Sequence, residues 1–205
     1  MKPVQTKRKT GRPLSFDRDE ALERAMLVFW AHGYERTSLS DLTRALGVTP
    51  PSIYTAFGDK KRLFLETVDR YLGGDPTASG IIDTASSARE AAFELMRQSA
   101  VGFTGEKTPT GCLLATSAIS CSEAASDVQR YLASIRRGIQ NRLANRIAEA
   151  IKAKELPREA NPQTLAAHVM AVIQGMSTLA RDGASRADLL RIVAAAITCW
   201  PAKEG

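Results

Sequence analysis

Arg36 to Leu63, RTSLSDLTRALGVTPPSIYTAFGDKKRL, is the stretch that decides how the chain is built. Ser38 stands three residues before Asp41, so a hydroxyl and a carboxylate can satisfy the free backbone donors that open a helix. Leu39, Leu42 and Leu46 follow at spacings of three and four, which gives one buried face, and Gly47 falls where a left-handed terminating residue is wanted. Gly47 and Val48 then make a tight turn. Thr49 can cap a second helix, Pro50 suits its first position, and Ile53, Tyr54 and Phe57 supply its apolar side. Gly58 closes that helix and Asp59 caps the next. The whole is a compact helix-turn-helix.

On its N-terminal side, Asp17, Asp19, Glu20 and Glu23 crowd the start of a helix, where negative charge suits the macrodipole. Leu22, Met26 and Phe29 line one face and Gly33 ends it. Leu27 and Trp30 lie off that face, so this helix is expected to pack both on the helix-turn-helix and on whatever follows. On the C-terminal side, Lys60 to Leu72 carries Leu63, Phe64, Val68, Tyr71 and Leu72, and Gly73 and Gly74 stop it. The domain boundary falls within or just before Asp75 to Thr84, a stretch with Pro76, Gly80 and small polar residues.

Beyond it the periodicity stays helical. Ser87 and Glu90 form a capping-box pair for a helix to about Phe103, and Thr104 to Gly111 is a loop with Pro109. Cys112 to about Ser120 reads as a short apolar helix. Val128, Leu132, Ile135, Ile139, Leu143, Ile147 and Ile151 mark a helix of roughly eight turns. Arg130, Arg136, Arg137, Arg142 and Arg146 on it read as a solvated face, and Leu156 and Pro157 end it. Asn161 and Pro162 start the next helix, and Ser185 and Asp188 the last. These two form a hairpin through Gly183 with an apolar surplus. A second chain is a natural cover, so Leu165, Val169, Val172, Ile173, Met176, Leu189, Val193 and Ile197 are the expected homodimer interface, with plain intramolecular core as the alternative.

The fold class is therefore all-α. Residues 1–15 read as a flexible basic tail, 16–74 as a helix-turn-helix three-helix DNA-binding domain, and 75–205 as a larger C-terminal helical domain with a dimerising hairpin. Hydrophobic residues at 44% and aromatics at only 6% fit tightly packed helices over a sandwich or barrel. Lys2, Lys7, Arg8, Lys9 and Arg12 put five positive and no negative charges in the first dozen residues, a probe for a polyanion, within a formal charge of +6. A merely solubilising tail is the alternative.

No run of eighteen apolar residues and no secretory segment is found, so the expected location is cytoplasmic, on the nucleoid when DNA-bound, with no membrane partner. Cys112, Cys121 and Cys199 lack C-x-x-C spacing, which argues for reduced thiols and against a zinc knuckle. No Gly-rich phosphate loop, G-x-S-x-G or H-E-x-x-H occurs, and there are only two histidines, so no enzymatic activity, metal or cofactor is expected.

The second helix, Pro50 to Phe57, is about two turns long and suits a major groove about 12 Å wide. Ser52 and Thr55 fall on its outer side with Tyr54 between them. These hydroxyls discriminate bases weakly, so readout also draws on Arg44 and on Lys9 and Arg12 of the tail. Thr37, Ser38, Thr49, Pro50, Lys60 and Lys61 complete the expected DNA-contacting set, mostly as backbone-phosphate contacts. Pro50 and Pro51 make the helix start rigid but donor-poor.

Residues 17 to 72 resemble the N-terminal domain of TetR-family transcriptional regulators, through Phe29, Gly33, Thr37, Ile53, Tyr54, Phe57, Lys60 and Leu63 in the series G-Y-E-R-T-S and L-G-V-T-P-P-S-I-Y-T-A-F-G-D-K-K-R-L. Ala56 departs from the aromatic or histidine often found before the Phe in that family. The resemblance implies a homodimer on a near-palindromic double-stranded DNA operator, usually a repressor, released when a small-molecule effector enters the C-terminal domain. Transcriptional activation, or nonspecific architectural DNA binding, are the competing readings. Gln98, Cys112, Thr116, His168 and Gln174 are polar residues on otherwise apolar helices and form the candidate ligand set, each with a satisfied core polar group as its alternative. Cys112 follows a loop and opens a helix, a position that can lower a thiol pKa and permit oxidant or electrophile sensing.

Overall fold

The computed structural model describes residues 16–74, 76–119 and 121–201, and these hold ten α-helices, one 3-10 turn and no strand. Lys9 and Arg12 lie outside the described residues. Helices α1 (Arg18–His32), α2 (Leu39–Leu46), α3 (Pro50–Phe57) and α4 (Lys60–Leu72) form the N-terminal unit. Their ends follow from local chemistry. The Asp17 carboxylate accepts from the amides of Asp19 and Glu20, at 2.8 and 3.0 Å. Ser38 and Asp41 make the reciprocal capping box, and Gly47 ends α2 at φ 68°. Asp59 accepts from the Arg62 amide at 2.7 Å to open α4.

Thr49 departs from expectation. It occupies the cap position of α3 but makes no side-chain capping bond: Pro50 and Pro51 carry no amide hydrogen, and the Ser52 amide donates to the Thr49 carbonyl instead, at 3.0 Å. Its hydroxyl pairs instead with that of Ser52, at 2.9 Å.

The core of this unit is built on Phe29, Leu42, Ile53, Leu63, Phe64 and Val68, all fully buried. Phe29 meets the Phe64 ring edge-on at 5.1 Å, and Tyr34 packs on Phe64 at 4.9 Å. Burying each such ring contributes roughly 1.5–3 kcal/mol, enough to hold two short helices that would not be stable alone. The Arg18 guanidinium lies 4.6 Å over Phe57 and bonds the Ala56 carbonyl and the Glu66 carboxylate, clamping the start of α1 onto α3 and α4.

The remaining chain forms α5 (Ala78–Thr84), α6 (Ala88–Gly102), α7 (Leu113–Thr116), a 3-10 turn at Glu123–Ala125, α8 (Ser126–Lys152), α9 (Pro162–Arg181) and α10 (Arg186–Thr198). Helix α8 packs on α9, α5 and α6, while α10 packs on α6 and α9. The stretch 76–84 holds α5, because the Thr77 hydroxyl accepts from the Gly80 amide at 3.0 Å and Ile82 is fully buried. Two expectations are corrected. Helix α7 is a single turn. Helix α8 stops at Lys152, before Leu156, where Lys154 turns left-handed at φ 60° and the Glu155 amide bonds back to the Ala150 carbonyl at 2.8 Å.

The stripe expected to face a second chain lies inside this one. Val169, Met176, Leu189 and Val193 are 0–1% exposed, Ile173 and Ile197 are 8% exposed, and only Leu165 and Val172 stay half-buried. The α9–α10 hairpin spends that stripe on α6 and α8. What it turns outward is a face of Ala167, Ala171, Gly175 and Leu179 on α9, with Ala194, Ala195 and Thr198 on α10.

Candidate nucleic-acid interface and adjoining cavity

Helix α3 is anchored by the burial of Ile53 and Phe57 and presents the rest of its surface to solvent. Tyr54 is 53% exposed there, with Pro50, Pro51 and Thr55 exposed beside it. Fewer donors are free than the sequence promised. The Thr55 hydroxyl donates to the Pro51 carbonyl at 2.9 Å, and the Ser38 hydroxyl to Asp41 at 2.6 Å. Thr37 is fully buried with its hydroxyl on the Gly33 carbonyl at 2.6 Å, so its side chain leaves the candidate contact set. Its role is to brace the turn after α1. The Thr49 and Ser52 hydroxyls, bonded to each other, keep one outward hydrogen between them. Arg44 is highly exposed, with only a 3.9 Å approach to Asp41.

Lys60 and Lys61 are both engaged. The Lys60 ammonium sits 4.7 Å over the Tyr34 ring and 3.4 Å from the Glu35 carbonyl, and its partial burial lowers its pKa. Lys61 pairs with Asp127 at the start of α8, and the hydrogen bond holds the Asp127 carboxyl below the usual carboxylate range.

That pair is one of several ties between the N-terminal unit and the segment Gly111 to Asp127. The Glu35 carboxylate accepts the Ser122 amide at 2.9 and 3.2 Å, the Tyr34 amide donates to the Ser117 carbonyl at 2.9 Å, and the Trp30 indole donates to the Gly111 carbonyl at 3.0 Å. Gly111 is held at φ 80°, where an added Cβ would lie 2.8 Å from the Ser177 carbonyl oxygen. Arg181 of α9 reaches the Ala31 carbonyl at 2.8 Å.

The same segment walls a cavity of about 400 Å³. Trp30 of α1 and Tyr71 and Leu72 of α4 line one side, and Leu95, Gln98, Cys112, Leu114, Arg136, Ile139, Met170, Ile173 and Gln174 are among the other lining residues. The lining is apolar with a few polar groups, the ordinary composition of a small-molecule site. Of the residues expected at a ligand site, the fold brings together Gln98, Cys112 and Gln174. Thr116 accepts from Arg181 at 2.6 Å and does not line the cavity. His168 is exposed on the outer face of α9, since the four-residue step to Val172 carries it around the edge of the buried stripe.

Two cavity residues depart from expectation. Arg136, expected on a solvated face, stands four residues after Leu132 and three before Ile139, inside the apolar stripe. That spacing was the available signal. Tyr71, read as core, donates its hydroxyl to the Cys112 sulfur at 3.4 Å, and burial pushes its pKa well up. Cys112 also moves opposite to expectation. Helix α7 is too short to stabilise a thiolate, and burial raises the thiol pKa. Among the described residues no group of three or more His, Cys, Asp or Glu could hold a metal ion, and no helix is long and apolar enough to cross a membrane.

A short exposed helix on a packed three-helix frame, tied to a helical body that holds a cavity, is the architecture of a helix-turn-helix transcriptional regulator. The chain matches the family described as bacterial regulatory proteins, tetR family, over residues 21–67, and the tetracyclin repressor-like C-terminal domain over residues 85–196. It is 35% identical over 198 residues to the HTH-type transcriptional repressor ComR of Escherichia coli strain K12, spanning 95% of this chain and 94% of that one. It is 28% identical over 178 residues to the repressor BdcR of the same organism, covering 85% and 84%. Among solved structures, the TetR family regulator CifR, a cysteine mutant complexed with 26-base-pair double-strand operator DNA, superposes with a TM-score of 0.88 at 38% identity, covering 93% of this chain and 100% of that one. The chain belongs to the TetR family of transcriptional regulators.

Proposed function

We propose that the protein is a repressor that binds a near-palindromic operator as a homodimer and releases it when a small molecule occupies the cavity. The observation that carries this reading is the shared segment Gly111 to Asp127, one side of which walls the cavity while the other is bonded to the reader unit at Trp30, Tyr34, Glu35 and Lys61. A ligand that shifts Cys112 and Leu114 must move those ties or break them, and either changes where α3 stands. Differential affinity for the two arrangements is all that such a switch requires.

Residues 16–74 are the reader and the helices after Gly74 the regulatory body. Tyr54, Ser52, Thr49 and Arg44 make the contacts from the helix-turn-helix, Lys60 and Lys61 approach phosphates, and Lys9 and Arg12 follow the backbone or an adjacent groove. The two chains meet through the small-residue face of α9 and α10, which permits close helix approach. The repressor named ComR, 35% identical over nearly the whole length, supports the sign, and CifR on its operator supports the DNA partner.

The test is competition between a fragment from the protein's own promoter region and scrambled DNA of equal length, together with transcription in a deletion strain. Preference for the promoter fragment with raised transcription in the deletion supports repression. Lowered transcription makes it an activator, and equal affinity for both DNAs makes it an architectural protein.

A further inference from the structure

Among the described residues, Arg136 is the one charged side chain lining the cavity. It is half-buried among apolar neighbours, and its guanidinium donates to the Leu114 carbonyl. Among the described residues no carboxylate lies within 4.0 Å of it, although eight other ion pairs form in the same chain. The Arg137 charge beside it adds repulsion, and burial depresses its pKa. A guanidinium carries five N–H donors in a planar fork, and one carbonyl leaves most of that fork open.

A half-buried cation with no counterion among the described residues is a ready partner for an anion that enters the cavity. We propose that the effector is a small organic acid, its carboxylate held by Arg136 and its apolar body filling the space between Trp30, Ile139 and Met170. This rests on the cavity being the effector site and adds the chemical class of what enters. A planar carboxylate fits the open fork in bidentate fashion. Gln98 and Gln174 supply amide donors and acceptors at the same wall without charge. The volume of about 400 Å³ sits at the small end of the range of roughly 300–1,000 Å³ for ligand pockets, which limits the acid to a compact one.

Trp30 lines the cavity and reports on it. In a Trp200→Phe background, which leaves Trp30 as the single indole, matched pairs are titrated by fluorescence: hexanoate against hexanamide, octanoate against octanamide, and benzoate against benzamide. The acids should bind about ten- to a hundredfold more tightly than their amides, the difference between a charged and a neutral hydrogen-bonded pair. Arg136→Met should abolish that preference, while Arg136→Lys, which keeps the charge and guards against a folding defect, should retain part of it. Acids that bind no better than amides, a preference untouched by Arg136→Met, or no acid binding at millimolar concentration would each overturn the proposal. The underlying reading is scored separately by operator release: amides that bind equally and still release DNA remove the acid and keep the effector cavity, whereas ligands that bind there without releasing DNA remove the cavity's regulatory role.

Discussion

The indole N–H of Trp30, on the first helix of the reader, donates to the carbonyl oxygen of Gly111 at 3.0 Å, and both residues are buried. Trp30 also stacks edge-on against Tyr71 at 5.0 Å, and Tyr71 in turn bonds Cys112. One aromatic pair thus forms a cavity wall and a domain tie together. Trp30→Phe keeps most of the packing and strands the Gly111 carbonyl. An unsatisfied buried acceptor costs about 1–3 kcal/mol, and a chain of this length loses roughly 2–4 °C per kcal/mol. Thermal unfolding should therefore show a drop of several degrees, and an unchanged midpoint would mean that the bond contributes nothing.

Tyr54 tests the reader surface. With 53% of it exposed and no described hydrogen-bond partner, Tyr54→Ala should leave the unfolding midpoint within about 0.5 kcal/mol of the parent. Operator affinity should fall about tenfold or more, the value of one hydrogen bond to a charged phosphate. A binding isotherm identical to that of the parent would place the DNA elsewhere.

Lys61 is held by Asp127. The pair is exposed and contributes at most about 1 kcal/mol to stability, so Asp127→Ala is tolerated. It lets Lys61 meet a phosphate without first leaving Asp127, so operator affinity should rise in Asp127→Ala and the gain should vanish when Lys61→Ala is already present. The slope of log affinity against log salt should fall by about one unit in Lys61→Ala. Equal slopes in Lys61→Ala and the parent would remove Lys61 from the contacts.

Cys112 provides a pH signature. Its folded pKa is raised by burial, above the value near 8.5 of an unfolded thiol. Below that pH both states keep the proton and the buried thiol contributes in full. Above it the unfolded chain ionises first, so stability falls as pH rises towards the folded pKa. Urea midpoints at pH 7.5 and 9.5 should fall further in the parent than in Cys112→Ala. Parallel falls would place the pH dependence in other groups.

What could be read in advance was local. The capping box of Ser38 and Asp41, the left-handed Gly47 and the Asp59 cap act within a few residues, so their chemistry is written in sequence order. The residues that failed depend on distant partners. Thr37 looked like a phosphate donor until the turn at Gly33 brought a carbonyl to its hydroxyl. The α9 and α10 stripe looked surplus because α6 and α8, which cover it, lie far away in the chain. Arg136 was hidden by arginine neighbours that point to solvent or, like Arg142, pair with Asp83. The apolar register of Leu132 and Ile139, and not the charge of its neighbours, places Arg136 at the cavity.

Selection of bound sequences from random double-stranded DNA by the full chain tests the central claim most directly. A dimeric reader predicts one enriched near-palindrome whose half-sites lie about 10 base pairs apart, centre to centre, or a multiple of that, and Tyr54→Ala should abolish the enrichment. Salt-dependent binding with no enriched sequence would contradict the account and leave a nonspecific DNA-binding protein.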